Sequence, residues 1–473
     1  MAVIGGGPAG AFFAIHLLRR AGELGVELKV VIVERRTPVS APVSTCQVGG
    51  WQGCNSCAGG ISPKLNDELG SMGLRLPSEV IQSRIHSITI QGYWKNIELD
   101  VPEGREMLSV YRGSRPRHRT DRVHSFDAFL LGEALRAGAE LLRGEVTEVR
   151  KAAEGKPLVS YRQDGRAVAL EADLVVLATG VNEAVCGAVV RNRLGPSLQA
   201  ALPGYAPPPV RRALVFELEG DPGFLANLAE AVHFVEYGSK ELRLEMCSLV
   251  PKRGFVTVVL IGPSIDAARD PGKNRELIQQ FLALPHIRKL LPAGARLRPA
   301  CVCSPNLVIG SARHPFADRM AAIGDSVTAR LYKDGILSAQ QTARALVEAV
   351  LTQGVDAESL RRAYAPVLNR FRRDNRFAAV VFALHRLFFS SSVLSRVLYQ
   401  AVLTERKAKP GPARRLEKIL WQIASGDHQY EAIFCSMLHP ATVWLILTGG
   451  FLVTLRNYLT ELCFGLRWEG FGR

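Results

Sequence analysis

Short apolar runs separated by a helical pattern open the chain. The apolar run at residues 2–4 predicts a buried strand, and the apolar, helix-prone stretch at residues 11–20 predicts a helix. A second apolar run at residues 29–33 predicts another strand, which ends on Glu34. The order strand, helix, strand is typical of an α/β domain built on a parallel sheet.

Further along, the pattern changes to the alternation that is typical of antiparallel strands. Segments 213–219, 231–237, 242–250 and 255–261 alternate in this way, whereas the runs at 174–178 and 320–323 predict buried parallel strands. Helices are predicted at 125–137, 273–291 and 335–351. We therefore expect one domain from residues 1–80, 122–185 and 301–355, and a sheet-based domain from residues 81–121 and 186–300.

The last part of the chain, residues 356–473, has the pattern of basic and apolar helices. Segments 377–403 and 434–455 are strongly apolar, but charges interrupt the first and Pro440 and Gly449 interrupt the second. Because a spanning helix needs about 20 apolar residues, we expect helices that lie in the membrane interface. A buried helix pair and a true transmembrane span remain the alternatives.

Charge and cysteine content narrow the compartment and the partners. The formal net charge is +15 at pH 7, and residues 361–418 hold far more Lys and Arg than Asp and Glu. Since this basic region is also apolar, it favours an anionic membrane surface over nucleic acid as its partner. The 9 cysteines of the chain are too few for a secreted disulfide scaffold, and no basic leader precedes the first strand. We expect a peripheral protein at the cytoplasmic face of a membrane.

A glycine motif joins the first strand to the first helix. Gly5, Gly7 and Gly10, with Pro8 and Ala9 between them, have the spacing of a dinucleotide-binding turn. The glycines let the backbone approach a pyrophosphate, and the helix N-terminus offers it free N–H groups. Glu34, next to Arg35, stands where an acid would accept hydrogen bonds from ribose hydroxyls.

Two distant segments, with this motif, form a set that resembles the glutathione-reductase-type FAD fold in its hydroxylase-like branch. They are Ala178-Thr179-Gly180 and Ile323-Gly324-Asp325, the latter followed by Lys333-Asp334-Gly335-Ile336. Within that branch, residues 1–355 look most like the geranylgeranyl reductase family, which is related to electron-transfer-flavoprotein–quinone oxidoreductases. The resemblance implies an α/β fold, in which a Rossmann-like FAD-binding domain carries an antiparallel-sheet substrate domain and a helical C-terminal tail.

The resemblance also implies roles for individual residues. Asp325 would bind the ribityl chain, and the backbone of Gly335 and Ile336 would face the flavin. Arg122 would take the place of the family's arginine before the helix at 125–137. The implied cofactor-binding residues are Gly5, Gly7, Pro8, Ala9, Gly10, Glu34, Arg35, Arg122, Thr179, Gly180, Gly324, Asp325, Gly335 and Ile336.

The sequence departs from two groups of related flavoproteins. Thr179-Gly180 replaces the Asp-Gly that is typical of hydroxylases, which argues against an NADPH-dependent aromatic hydroxylase. The Trp-x-Trp-x-Ile-Pro signature of flavin halogenases is absent from the sequence.

A group of cysteines leaves several kinds of chemistry open. By its family position Cys57 should lie at the flavin, where a thiol could donate a proton or shape the environment of the ring. Cys54 and Cys57 could instead form a redox disulfide. Alternatively, Cys46, Cys54, Cys57 and a fourth thiol, from Cys301 or Cys303, could hold an iron–sulfur cluster or zinc.

Taken with the apolar tail, the resemblance favours an FAD-dependent oxidoreductase that reduces carbon–carbon double bonds of an isoprenoid or other lipid substrate. Cys57 is the candidate catalytic residue. The electron donor would be NAD(P)H or a redox partner protein such as ferredoxin. The main alternative is a membrane-associated electron carrier that passes electrons through FAD and a cysteine-ligated iron–sulfur cluster to quinone. A flavin-bound scaffold without turnover is a third hypothesis.

Overall fold

The computed structural model describes residues 1–35, 57–113, 124–152, 155–182, 200–220, 230–268, 272–291 and 298–465, with a few single positions between these ranges. The strands are β1 (Ala2–Ile4), β2 (Val31–Glu34), β3 (Gly60–Ile61), β4 (Ile81–Ile85), β5 (Ser87–Gln91), β6 (Ile97–Asp100), β7 (Met107–Val110), β8 (Glu140–Arg143), β9 (Glu145–Lys151), β10 (Pro157–Gln163), β11 (Arg166–Glu171), β12 (Val175–Leu177), β13 (Val210–Arg212), β14 (Leu214–Glu219), β15 (Ala231–Val235), β16 (Met246–Lys252), β17 (Phe255–Ile261), β18 (Arg298–Cys303), β19 (Asn306–Val308), β20 (Phe316–Ala317) and β21 (Met320–Ala322).

The helices are α1 (Pro8–Glu23), α2 (Pro63–Ser71), α3 (Phe126–Arg136), α4 (Pro263–Ala267), α5 (Lys273–Ala283), α6 (Pro285–Arg288), α7 (Gly335–Thr352), α8 (Ala357–Ala363), α9 (Ala365–Ser390), α10 (Ser392–Ala408), α11 (Arg415–Ser425), α12 (Tyr430–Leu438), α13 (Pro440–Leu445) and α14 (Val453–Phe464). A π-helical segment, Ile446–Leu452, joins the last two, and short 3-10 turns lie at Gly324–Ser326 and Gly411–Ala413.

The first sheet is the parallel one that the apolar runs predict. Its strands lie in the order β20, β21, β12, β1, β2, β8, and all neighbours are parallel except β20 and β21. Helices α1, α3 and α7 pack together beside it, and the apolar side chains between helices and sheet form the main core. Strand β1 is buried along its whole length, which explains why its sequence is apolar at every position. The α/β fold class is confirmed.

The second sheet is largely antiparallel, with strands in the order β18, β14, β17, β16, β15, β5, β6. Strand β15 pairs with β5 in parallel, so the segments before residue 121 and after residue 200 build one sheet. The strand predicted from residue 242 begins at Met246, because Ser239 N–H bonds to the Leu242 carbonyl in a turn. Cys301 lies on β18 and therefore belongs to this second sheet, although we expected the chain to return to the first domain at residue 301.

The first apolar run of the tail packs against protein, contrary to the expected membrane-interface helices. On α9 the buried side chains include Ala378, Val381 and Phe382. Phe389 and the apolar face of α10 join a core with the β5, β6 and β15 side of the second sheet. The sequence alone does not distinguish an apolar face that meets lipid from one that meets a sheet.

The end of the tail has the opposite arrangement. Within residues 440–464, the side turned toward the protein holds small or polar residues, namely Thr442, Gly449, Gly450, Thr454 and Asn457. The outward side is apolar: Trp444 is 68% exposed, Leu462 83% and Phe464 74%. Among the described residues, Pro440–Phe464 is the single continuous helical stretch that is long and apolar enough to cross a membrane, and α9 with α10 would make a second candidate bent by 101°.

Candidate active site

The distant motifs meet because their strands are neighbours. In the parallel register, Ile4 pairs with Leu177, and Leu177 pairs with Ala322. The glycine motif, the Thr179-Gly180 turn and the Gly324-Asp325 turn therefore leave the same edge of the sheet, where ligands of such folds bind. Ser326 Oγ fastens two of the turns, since it accepts a hydrogen bond from Gly180 N–H at 2.9 Å and lies 3.2 Å from Thr179 Oγ1.

The glycine turn leaves the N-terminus of α1 open. A Cβ on Gly10 would lie 2.0 Å from the Gly5 carbonyl oxygen, so a side chain there would push α1 away from β1. A Cβ on Gly7 would meet nothing within 4 Å. Helix α1 begins after Gly7 without a side-chain cap, which leaves its first N–H groups available to a ligand oxygen. Glu34 closes the turn by accepting a hydrogen bond from Gly6 N–H at 2.7 Å.

A second helix N-terminus faces the same space. Helix α7 begins at Gly335, and its N-cap Asp334 makes no side-chain cap hydrogen bond. Tyr332 and Asp334 both have left-handed backbones, with φ of 61° and 51°. Non-glycine residues adopt this conformation at a cost of roughly 1–2 kcal/mol each, and it concentrates at functional sites. The loop before α7 is therefore held in a strained conformation, and this conformation places Lys333 in the wall of the cavity.

These elements enclose a cavity of about 390 Å³ with two chemically different ends. One end is lined by the nucleotide-type motifs, namely Gly5, Gly7, Pro8, Ala9, Glu34, Arg35, Thr179, Gly180, Asp325, Gly335 and Ile336. The other end is lined by alternate residues of the second sheet, namely Val215, Val232, Phe234, Met246, Ser248, Val250, Val259 and Ile261. Ala424 and Ser425, at the end of α11, close part of the wall, so the tail completes the cavity.

Arg112 is one of the cations that line the cavity. Its Nε lies 2.8 Å from Asp127 Oδ1 and its Nη2 lies 3.0 Å from Asp127 Oδ2, and it also hydrogen-bonds Cys57. Burial alone would lower the pKa of Arg112, but the charges of Asp127 and Cys57 outweigh it and raise the pKa above its ordinary value. The sequence assigned this role to Arg122, which lies outside the described residues.

Cys57 lines the cavity beside Arg112. Its sulfur accepts a hydrogen bond from Gly59 N–H at 3.4 Å, and Lys252 Nζ donates to the neighbouring Ala58 carbonyl at 2.7 Å. Lys252 is buried, so its side chain holds the segment that carries Cys57 and Ala58 and does not extend into solvent.

Two buried acids and a lysine have altered proton affinities. Burial raises the pKa of Asp325, which the charge of Arg112 opposes. Burial raises the pKa of Asp334 to about 6, although Arg330 and a hydrogen bond from Ser62 oppose the change. Burial lowers the pKa of Lys333 to about 8, against the raising effects of Glu236 and Asp334. Proton affinities near neutrality are typical of groups that take part in chemistry.

The proposed metal ligands are not brought together among the residues that the structure describes. No group of three or more His, Cys, Asp or Glu side chains in those ranges could hold a metal ion. Cys301 does not line the cavity that Cys57 lines. Cys46 and Cys54 lie outside the described residues, so the four-cysteine site stays a prediction.

The residues present fit FAD. Two uncapped helix N-termini face one cavity, and a Gly7 without steric neighbours leaves room for a pyrophosphate. Glu34 would hold the ribose, Asp325 the ribityl chain, and the N-terminus of α7 would favour a reduced, anionic ring. Sequence reasoning missed Lys333 and the contribution of α11, since both depend on how the tail folds back.

The fold of this chain is similar to the folds of several solved structures. A geranylgeranyl bacteriochlorophyll reductase-like protein from Thermoplasma acidophilum has a TM-score of 0.63 at 17% identity, over 92% of this chain and 97% of that chain. The flavin-dependent halogenase CmlS has a TM-score of 0.58 at 18% identity, over 98% of this chain and 77% of that chain. A flavoprotein/dehydrogenase from Cytophaga hutchinsonii has a TM-score of 0.57 at 15% identity, over 92% and 97%.

No protein-family model and no curated protein sequence matches the chain. The resemblance that the three sequence motifs carry is thus confirmed at the level of the fold. This chain has the fold of flavoprotein oxidoreductases, which it shares with a reductase-like protein, a halogenase and a dehydrogenase.

Proposed function

We propose that the protein is an FAD-dependent reductase that saturates carbon–carbon double bonds of an isoprenoid or other lipid substrate at a membrane surface. The observation that carries this proposal is the two-ended cavity. A glycine-lined end suited to a dinucleotide continues directly into an end roofed by apolar side chains of the second sheet.

The apolar end supports a hydrocarbon substrate. Phe234, Val250 and Ile261 belong to different strands, yet the pleat turns all three side chains toward the cavity. Ser248 is the one hydroxyl in the roof among the described lining residues of the second sheet. A polar substrate would lose its hydration against these apolar side chains and gain few partners, whereas an alkyl chain has no hydrogen bonds to lose.

Each part of the site has a distinct task in this proposal. FAD, once reduced by NAD(P)H or a redox partner such as ferredoxin, supplies hydride chemistry. The second sheet would hold the double bond against the flavin and exclude water. Cys57, positioned by Arg112 and the Gly59 N–H group, would shape the flavin face or supply a proton.

The outward face of residues 440–464 supports a membrane location. Its exposed apolar side chains recur on one side of the helical stretch, for example Trp444, Phe451, Leu455 and Leu462. Apolar groups exposed in this number mark an interaction surface. The net charge of +15 favours an anionic lipid surface as the partner, with the site on its cytoplasmic side.

The direct test is reduction of a defined lipid. The FAD-loaded protein is mixed under anaerobic conditions with geranylgeraniol in vesicles and with dithionite as reductant, and the lipid is analysed by mass spectrometry. The product should gain two hydrogens for each double bond that is saturated. An unchanged lipid, with flavin that stays reduced, would contradict the proposal.

The electron-carrier alternative makes a different prediction. Iron and acid-labile sulfide, measured in anaerobically purified protein, would accompany FAD in a protein that uses Cys46, Cys54, Cys57 and Cys301 as cluster ligands. A clean flavin spectrum without iron would remove this version of the function. Rapid reduction and reoxidation of the flavin by physiological partners would remove the scaffold hypothesis.

A further inference from the structure

An ammonium group stands at the junction of the two ends of the cavity. Lys333 lines the cavity and is partly buried. Its Nζ lies 3.7 Å from the centroid of the Phe234 ring, in the apolar roof, and donates a hydrogen bond to the Ala424 carbonyl at 3.0 Å. The lysine thus reaches from the loop at the flavin-type end to the surface that would hold the substrate.

The backbone fixes this position. Lys333 lies between Tyr332 and Asp334, whose positive φ angles bend the loop just before helix α7. Arg330 fastens the loop through Asp334 Oδ2, 3.1 Å from its Nη1, and through the backbone carbonyls of Gly426 and His428. Such strain persists where the surroundings determine a conformation that function requires.

A buried acid–base pair lies behind the lysine. Glu236 comes directly after β15, whose Val232 and Phe234 line the cavity; its own side chain is buried and does not line the cavity. Its Oε1 lies 2.5 Å from Nδ1 of His385 on helix α9, and both side chains are buried. The Nδ1–Oε1 contact lacks hydrogen-bond geometry, and Glu236 Oε2 and both ring nitrogens of His385 have no hydrogen-bond partner among the described residues. Buried polar atoms left without a partner are costly, so they indicate a role other than stability.

We propose that Lys333 is the proton donor of the cavity and that Glu236, backed by His385, is the positioning pair that keeps Lys333 charged. The proposal rests on the proposed function for its substrate. Cys57 is less suited to this task, because its sulfur accepts a hydrogen bond from Gly59 N–H and borders Arg112, a group that can only donate.

FAD, held at the glycine-lined end, would supply the hydride that forms a C–H bond with one carbon of the double bond. The π electron pair forms a C–H bond at the neighbouring carbon with the proton of Lys333, whose N–H bond breaks. Lys333 is left as a neutral amine and regains a proton from water.

The charged and titratable groups around Lys333 come from four elements. Glu236 follows β15, Arg330 and Asp334 lie in the loop before α7, His385 lies on α9, and Asp427 follows α11. Of these, Glu236 contributes most to keeping the lysine protonated against the effect of burial. A proton donor that works near neutrality needs a pKa close to the working pH, and here burial lowers the pKa of Lys333 while Glu236 opposes that change.

The first measurement is independent of turnover. In the FAD-loaded protein, competitive acetylation of lysines is followed by peptide mass spectrometry over a series of pH values. Lys333 should reach half-labelling at a clearly lower pH than Lys407, an exposed lysine that serves as the internal reference. Glu236→Gln should lower the midpoint of Lys333 further. Equal midpoints for Lys333 and Lys407 would overturn the proposal whatever the substrate is.

The second measurement separates proton donation from charge. Lys333→Gln should lower kcat for lipid reduction by about 100-fold or more, with the rate of flavin reduction by dithionite unchanged. Lys333→Arg keeps the cation and a donor for the Ala424 carbonyl but holds its proton too tightly, so it should be equally slow. A wild-type kcat in Lys333→Arg would show that Lys333 acts only through its charge and its hydrogen bond to the Ala424 carbonyl. That result would overturn the proposal. A wild-type protein that reduces no lipid counts against the proposed function alone.

Discussion

Arg112 and Asp127 form a two-point ion pair in the wall of the cavity, although 14 residues separate them in sequence. The Asp127 side chain is 0% exposed and that of Arg112 is 19% exposed. Asp127 stands in the first turn of α3, where the helix dipole also favours its charge. The pair joins the end of the β7 segment to α3 and holds the arginine beside Cys57.

Removing one charge of this pair should strongly destabilise the folded protein. Asp127→Asn leaves a buried guanidinium without its carboxylate, so the free energy of unfolding should fall by about 3–5 kcal/mol. Chemical denaturation of the apoprotein measures this. The matched control is Asp173→Asn, which breaks the exposed pair with Lys156 and should change stability little. Equal effects of the two substitutions would contradict a structural role for the buried pair.

Gly7 should be needed for the cofactor but not for the fold. Its φ of −68° suits any residue, and a Cβ there meets no atom within 4 Å, so Gly7→Ala should fold normally. The added methyl would occupy space that a pyrophosphate needs, and FAD affinity should fall by about tenfold or more, about 1.4 kcal/mol. Flavin fluorescence titration and circular dichroism check the two parts.

The control for Gly7→Ala is Gly22→Ala, in the same helix but remote from the cavity, where a Cβ also meets nothing. It should retain FAD affinity and gain a few tenths to about 1 kcal/mol of helix stability. Wild-type FAD affinity in Gly7→Ala would mean that the cofactor does not approach this turn.

Cys57→Ser should keep the flavin and slow the reaction. The smaller hydroxyl still lies beside Arg112, so FAD content should be unchanged, while kcat for lipid reduction should fall if the thiol shapes the flavin face. Cys435→Ser, at an exposed site on α12, is the control and should leave both quantities unchanged. A Cys57→Ser protein with wild-type kcat would exclude a catalytic thiol.

The outward face of residues 440–464 should bind vesicles. A Leu459→Asp/Leu462→Asp double variant places charges on an exposed apolar surface, so the fold should survive while co-sedimentation with anionic vesicles is lost. Val302→Asp, at another exposed apolar position, is the control and should bind as the wild type does. If about 1 M salt, which shortens screening to about 3 Å, leaves binding to anionic vesicles intact, charge makes no contribution.

Lys333 should give the reaction and the stability opposite pH dependences. Because the charged form donates the proton, kcat for lipid reduction should fall as the pH rises above about 8. The pKa is lowered from 10.5 to about 8 in the folded state, so the unfolded chain binds more protons between these values. The free energy of unfolding therefore gains a positive contribution from Lys333 as the pH rises through this window. Lys333→Gln should remove both effects, and a pH dependence that persists in this variant would assign them to another group.

The cofactor end of the site was readable from local patterns. An apolar run followed by glycine sets a buried parallel strand and the turn after it, and parallel neighbours must release their turns at one edge of the sheet. The resemblance to the FAD fold then placed Gly5, Thr179 and Asp325 in one site before any coordinates were known. The α/β fold followed from the same alternation of strands and helices.

The residues that build the apolar end of the cavity could be identified only from the tertiary structure. Apolar faces predict burial but do not identify the surface that covers them. The run at 377–403 was therefore expected to lie in the membrane interface, although part of it packs on the second sheet. Only that docking carries Ala424 to the cavity wall and His385 to Glu236. Likewise, the fold brings Arg112 within hydrogen-bonding distance of the buried Asp127, and sequence spacing does not encode that distance.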